Sequence, residues 1–414
     1  MRIHDRELAQ AKGWMAGTHR ARSPSDTVAD YGRQMSRLGI TRLANVTGLD
    51  VLGVPVWVAI RPNSRGLSVS QGKGLDHDAA RASALMESIE SWHAERVERP
   101  LRYDSYDSLR TRASVVDIRG VPARAGAVVR GDVPLVWVEG WDLMAAEPCW
   151  VPFEAVTTNF VTPARGGNTF LMSSNGLSSG NHLLEAIVHA LCELIERDAL
   201  TMWYLLSADA SKARQLDPTT IDDPACAAII ARLAAAGASV AAWDITSDSE
   251  VPAYSAVVYE TGERPRWRAM GMFSGYGCHP AREVALLRAI TEAVQSRLTM
   301  ISGSRDDLFY RDYVHCSNAD DLARMIARVT SPPPSFDFRT RASITTASFD
   351  GDLDAILGRL RAIGIERAVA VDLTRDDVGI PVVKLVVPGL EAMSLAHQYT
   401  AGTRARARRG EVRA

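Results

Sequence analysis

Three stretches of this chain set polar or charged side chains at one helical spacing: Ser83, Glu87 and Glu90; His189, Glu193 and Glu196; Arg288, Glu292 and Gln295. Positions i, i+4 and i+7 stack on one face of an α-helix. Each stretch also carries enough Leu, Ile, Val, Met and Ala to pack as a helix. The first two contribute four glutamates from distant parts of the chain. If those faces converge, the pocket is intolerably acidic without cations. That requirement points to Mg2+ and to the phosphates Mg2+ carries.

The segment Leu183 to Leu206 is the strongest helix. Leu184, Ile187, Val188, Leu191, Cys192, Leu194 and Ile195 cover at least half its circumference, so it is mostly buried. Glu185, His189, Glu193, Glu196 and Arg197 share the remaining sector. The bland alternative is an amphipathic helix whose acids face water. Three features argue against it. A Gly- and hydroxyl-rich run, Ser173 to Asn181, leads straight into the helix N-terminus, where backbone N–H groups and the helix dipole suit an anion. Gln71-Gly72-Lys73-Gly74 stands in the same relation to the helix bearing Ser83, Glu87 and Glu90, without P-loop spacing. Arg197 and Arg288 sit among the acids, as simple ion pairs or as phosphate clamps. Carboxylates serve Mg2+ one or two at a time, with phosphate and water completing the shell. Four glutamates therefore imply more than one ion, bridging a nucleotide triphosphate during phosphoryl transfer.

Composition narrows the class. With 414 residues, 46% apolar, the chain is globular. A net charge of −2 advertises neither nucleic acid nor an anionic membrane as partner. Five scattered cysteines without a C-x-x-C pair fit a reducing cytoplasm better than a disulfide framework. Met1 to Lys12 has no apolar core, so no secretory signal is expected. No run of about 18 apolar residues is present to span a membrane.

Strand and helix patterns alternate. Helices are expected at Asp26–Leu38 (N-cap Ser23, Gly39 after its end), His77–Val97, Leu183–Leu206, Pro280–Thr299 and Asp352–Ile363. Strands are expected at Leu52–Ile60, Val133–Trp141, Cys149–Val156, Ser239–Ile245, Ala253–Tyr259, Met270–Ser274, Ala368–Leu373 and Pro381–Val387. Ser331 to Ser335 reads as a loop. The expected class is α/β, one interlocked domain (residues 1–400) with mixed β-sheets, packed helices and a possible internal pseudo-repeat. Residues 401–414 read as a basic tail, with Arg404 to Ala414 solvated.

Ser-x-x-x-Glu-x-x-Glu at 83–90, Glu-x-x-Glu-Arg at 193–197 and Glu-x-x-Gln-x-Arg at 292–297 together resemble the signature of the YcaO enzymes. Gly72-Lys73-Gly74, the Ser178 to Glu185 lead-in and Pro381 to Lys384 match as well, and the likeness runs over residues 15–395. The resemblance implies an ATP- and Mg2+-dependent enzyme, often homodimeric, acting on a peptide backbone amide of a precursor peptide or protein. It implies Glu87, Glu90, Glu193 and Glu196 as Mg2+ ligands. It implies Ser83, Ser178, Asn181, Glu185, Arg197 and Arg288 along the nucleotide, with Arg20 and Thr27 adding phosphate contacts. Glu87, Glu193, Arg197 and Arg288 would then carry the catalysis. Ser91 stands where many members have arginine. His189 reads as a packed, neutral histidine.

The family couples addition at the amide carbon to phosphorylation of the amide oxygen, and phosphate departs to leave C=S or C=N. Azoline-forming members typically end in a proline-rich tail, whereas here no proline follows Pro388. Gly17 to Arg20 and Thr41 to Asp50 resemble members that work with a TfuA-like partner and an external sulfur donor. Thioamide formation is therefore the favoured expectation, with cyclodehydration as the alternative. Two other classes remain open: a non-catalytic scaffold that binds a precursor peptide, and a carboxylate-bridged metal hydrolase. The hydrolase would prefer histidine ligands.

Overall fold

The structure, a computed structural model, describes residues 2–3, 6–161, 168–261, 270–392 and 399–411. The first helix, α1 (Pro24–Tyr31), starts where the sequence places it: Ser23 caps it by accepting from the Asp26 N–H, and Pro24 fills the first turn. It stops short of Leu38, passing into a tight turn over Gly32–Gln34. Strands β1 (Arg42–Asn45), β2 (Val56–Ile60) and β3 (Val69–Lys73) form an antiparallel sheet in that order. The expected strand from Leu52 begins only at Val56, because Thr47–Leu49 form a 3-10 turn and Gly53 adopts a positive φ of 68°. Helix α2 (His77–Ala94) follows, capped by Asp76.

Strands β4 (Leu101–Ser105), β5 (Pro134–Asp142), β6 (Glu147–Pro152) and β7 (Leu177–Ser179) precede the longest helix, α3 (Leu183–Tyr204). Next come α4 (Pro224–Ala235), β8 (Ala238–Asp244), β9 (Ala253–Glu260), β10 (Phe273–Cys278) and α5 (Arg282–Ser302). Helices α6 (Tyr310–Cys316), α7 (Ala319–Thr330) and α8 (Phe349–Ala362), strands β11 (Val369–Asp372) and β12 (Val382–Val386), and α9 (Thr403–Arg408) complete the chain. The central sheet runs β4-β5-β11-β12-β7, with β6 also on β5, and β8-β9-β10 form a third sheet.

The α/β class is as expected, but the strand ladders are antiparallel rather than mixed. Short connections between neighbours such as β2 and β3 or β5 and β6 return the chain at once, which dictates that direction. The strand expected at Met270–Ser274 lies further on, at β10. Helices α4 and α7 were not anticipated.

Three strand–helix units repeat: β3–α2, β7–α3 and β10–α5. Within the first and third, glycine lets the strand press on its helix. A Cβ on Gly72 would lie 2.0 Å from the Ala84 nitrogen, and one on Gly277 would lie 2.1 Å from the Ala285 carbonyl oxygen. The units also form a ring, since α2 packs on β7, α3 on β10 and α5 on β3. The glutamates of the three polar faces singled out in the sequence are thereby brought beside one another, around a partly open cleft. Leu184, Ile187, Leu191 and Ile195 of α3 form the core with Leu353 and Ile356 of α8. Leu85 and Ile89 of α2 pack with Trp137 and Val371 of the central sheet, and Leu286 and Ile290 of α5 pack with Ile229 and Tyr254.

The terminal segment is the expected solvated tail only in part: Arg406 and 408–411 are exposed, but its start is docked. Arg404 pairs with Asp198 of α3 at 2.9 Å and with Asp248 at 2.6 Å, and Ala405 is buried. Glu391 accepts from the Gly402 and Ala405 N–H groups and so tethers α9. Arg404 goes inward because Asp198 is fully buried and needs a cation. Residues 412–414 lie outside the described residues. Among the described residues no helix is long and apolar enough to cross a membrane. Cys149, Cys192, Cys226 and Cys278 are buried, as small apolar residues are.

Candidate active site

The middle glutamate of each helix is fixed the same way, by a backbone N–H from the strand or strand approach that precedes it. Glu87 Oε2 accepts from Gln71 at 3.1 Å, Glu193 Oε2 from Gly176 at 3.1 Å, and Glu292 Oε1 from Tyr276 at 3.2 Å. Neighbouring units are stitched too. Ser179 donates to Glu90 Oε1 from both its N–H and its hydroxyl, each at 2.8 Å, and Lys73 Nζ donates to Glu292 Oε2 at 2.6 Å. Arg197 reaches Glu196 at 3.4 Å and Glu193 at 3.9 Å.

The four glutamates are thus brought together, and desolvation raises each carboxyl above its ordinary value. Burial pushes Glu90 up to about 8, against the Ser179 hydrogen bonds that pull it down. Burial pushes Glu196 up to about 7, with the carboxylates of Glu292 and Glu193 adding to the rise and Arg197 opposing it. Desolvation by the surrounding groups also moves Glu87 up, to about 7, against the pull of the Gln71 N–H and Lys73, even though its side chain is exposed. Glu193 also rises by burial, opposed by Arg197 and Lys384. Carboxylates held like this gain from an arriving cation. Among the described residues no three acidic, histidine or cysteine side chains make a ready metal cage. One or two carboxylates per ion, completed by phosphate and water, is the Mg2+ pattern.

The expected nucleotide residues gather at one end. Glu185 accepts from the Ala21 N–H at 2.9 Å and pairs with Arg20 at 3.5 Å. Asn181 Oδ1 accepts from Thr27 Oγ1 at 2.9 Å and from Arg22 Nε at 2.7 Å. Ser178 lies within 3.0 Å of His189 Nδ1, and burial holds that imidazole well below its ordinary 6.5, hence neutral. Ser83 is half-buried one turn before Glu87 on the same face. Arg288 belongs to α5, and its Nε is buried without a hydrogen-bond partner. A phosphate oxygen between Arg288 and Arg20 fits that orphaned donor.

Several participants were not given a role from the sequence. Arg22 was overlooked. Lys384 is buried, and its ammonium donates to the carbonyls of Ser173 at 2.5 Å and Asn175 at 2.7 Å, clamping the loop that presents Gly176 to Glu193. Burial pulls its amine down to about 8. Tyr276 and Tyr204 hydroxyls meet at 3.3 Å beside Glu292 and Arg197. A readable signal existed for Lys73, namely its two flanking glycines.

The family described as YcaO cyclodehydratase, ATP- and Mg2+-binding, matches residues 71–391. An uncharacterised protein in the tfuA 3′ region of Rhizobium leguminosarum bv. trifolii is 36% identical over 397 residues, covering 95% of this chain and 93% of that protein. An uncharacterised protein of Methanothermobacter thermautotrophicus is 34% identical over 380 residues, covering 90% of this chain and 95% of the other. In fold, the chain resembles YcaO from Methanopyrus kandleri bound with AMPPCP and Mg2+, with TM-score 0.75, 21% identity and coverage of 95% and 99%. It also resembles a heterocyclase in complex with substrate and cofactor, with TM-score 0.77 and 18% identity, over 98% of this chain but only 57% of the heterocyclase. By the extent of the family match and of its relatives, this chain belongs to the YcaO family.

Proposed function

We propose that this YcaO protein activates a peptide backbone amide by phosphorylating its oxygen and replaces that oxygen with sulfur, giving a thioamide, with a TfuA-like protein as partner. The observation that carries the reaction class is the convergence of Glu87, Glu90, Glu193 and Glu196 from two units, beside Arg20, Arg197 and Arg288. The relative in the tfuA 3′ region favours sulfur as the incoming atom.

When bound, ATP supplies the phosphoryl group, and Mg2+ supplies the positive charge that offsets it. Glu87, Glu90, Glu193 and Glu196 would hold the ions. Arg20 and Arg288 would clamp phosphate oxygens, with Thr27, Ser83, Ser178, Asn181 and Glu185 along the nucleotide. Arg197, fixed by two glutamates, would face the charge that develops on transfer. The protein works here by placement rather than by a covalent intermediate. In the overall change, the amide oxygen leaves with the phosphoryl group as inorganic phosphate. Sulfide takes its place on carbon as C=S, and the sulfide proton ends on the phosphate.

A second reading follows from the family's description as cyclodehydratase: a Cys, Ser or Thr side chain of the substrate attacks instead, and an azoline forms. Mass spectrometry of candidate peptides, incubated with ATP, Mg2+, sulfide and a TfuA-like protein, decides between them. Replacement of oxygen by sulfur is the expected mass change. Loss of one water establishes the azoline reading, and an unmodified peptide with no ATP consumed defeats both.

A further inference from the structure

The cleft has two ends. Arg20, Thr27, Asn181 and Glu185 crowd one of them, near Glu90 and Ser179. At the other, Glu87 feels the charges of Lys73, Arg305 and Glu193. A phosphate chain held at Arg20 that runs along the glutamates would pass Glu90 first and reach Glu87, beside Lys73, last.

Lys73 is aimed there by its neighbours. Successive strand residues face opposite sides. Gly72 and Gly74 turn toward α2 so closely that a Cβ would meet Ala80 O at 2.1 Å and Ala79 Cβ at 2.5 Å respectively. Lys73 between them therefore faces away from α2, across the cleft to Glu292, which the Tyr276 N–H fixes in turn. Both groups of this pair remain partly open to the cleft, at 20% and 25% exposure. As a mere tie between β3 and α5 such a partly open pair contributes little.

We infer that Lys73, held in place by Glu292, is a further catalytic residue whose ammonium meets the terminal phosphoryl group at the Glu87 end of the cleft. The inference rests on the phosphoryl-transfer reading above. In that transfer the bond from the terminal phosphorus to the bridging oxygen of ADP breaks, and a bond to the amide oxygen forms. Lys73 donates to the equatorial oxygens throughout and gives up no proton.

Equilibrium binding to the full chain with Mg2+ tests it, comparing ADP with the β,γ-methylene analogue of ATP. Lys73→Met weakens the analogue by about tenfold, the worth of one charge-assisted hydrogen bond, and leaves ADP unchanged. Lys73→Arg restores most of the loss. Equal weakening of both nucleotides marks a structural role and overturns the inference, as does no weakening of either. If the unmodified chain binds neither nucleotide, the functional reading itself fails and takes the inference with it.

Discussion

Glu90 and Glu196 each stand where burial makes a carboxylate costly, at Glu196 even with Arg197 beside it, and this should give the nucleotide-free protein a pH signature. Burial raises Glu90 to about 8 and Glu196 to about 7, both above the ordinary 4.5 of the unfolded chain. A raised acid favours folding while protonated, so its contribution is full below the unfolded value and is lost as pH rises through the folded one. His189 and His279, held well below 6.5 by burial, act oppositely, but only where pH falls under 6.5. Lys384, lowered by burial to about 8, is charged in both states below that pH. Between 6.5 and about 8 the carboxylates therefore dominate, and the melting temperature without Mg2+ or nucleotide should fall across that window. Glu90→Gln should flatten the slope, and a profile that rises in the unmodified protein contradicts the assignment. Catalysis offers a separate check at Glu193. Glu193→Gln should cut ATP turnover by more than about a hundredfold, the upper range for disturbing groups around a metal. The melting temperature should hold, because the amide oxygen still accepts from the Gly176 N–H. Unchanged turnover removes Glu193 from the Mg2+ set.

At the scale of elements, the end of α3 and the terminal helix α9 form one device. Asp198 is fully buried, and its partners are Arg404, Ser247 and the Glu391 N–H. Arg404→Met should destabilise the fold by about 3 kcal/mol, because it strands a buried carboxylate. Asp198→Asn combined with Arg404→Met should cost less than Arg404→Met alone, since the charge is gone. Denaturant midpoints of the three variants measure this, and a double variant worse than both singles rejects the pairing. Truncation before Arg404 should lower stability the same way, while nucleotide affinity in the folded protein holds. This coupling was invisible in the sequence. Arg404 sits in an arginine-rich run whose composition reads as solvated, and nothing local announces a buried aspartate about two hundred positions upstream. The long helices α2, α3 and α5 were legible because apolar and helix-forming residues run over many turns without proline or glycine. Strand β3 was not, because Val69-Ser70-Gln71-Gly72-Lys73 lacks apolar alternation and owes its place to the glycine contact with α2. Helix α7 offered both the Asn318 cap and an apolar stripe of Leu322, Met325, Ile326 and Val329 at helical spacing, and both went unused.

Across the whole molecule, the spacing of three polar faces pointed to a shared site, yet it could not foretell how the faces meet. Each glutamate stripe is anchored by its own strand and braced by the strand of another unit, so the cleft has no single owner. The Ser179–Glu90 and Lys73–Glu292 hydrogen bonds are two such braces, and the packing of α3 on β10 supplies the third contact. A ligand that neutralises the acids at the centre therefore acts on all three units together. Binding of Mg2+ and ATP should slow amide exchange in α2, α3 and α5 in one concerted step, since anything that binds only the assembled cleft stabilises every segment whose opening dismantles it. Hydrogen-exchange mass spectrometry with and without the β,γ-methylene analogue and Mg2+ reads this directly. Protection confined to α3 would mean that the nucleotide rests on one helix and that the ring is scaffolding. Protection in all three, lost together when Glu90→Gln and Glu193→Gln are combined, ties the repeated strand–helix unit to the chemistry at its centre.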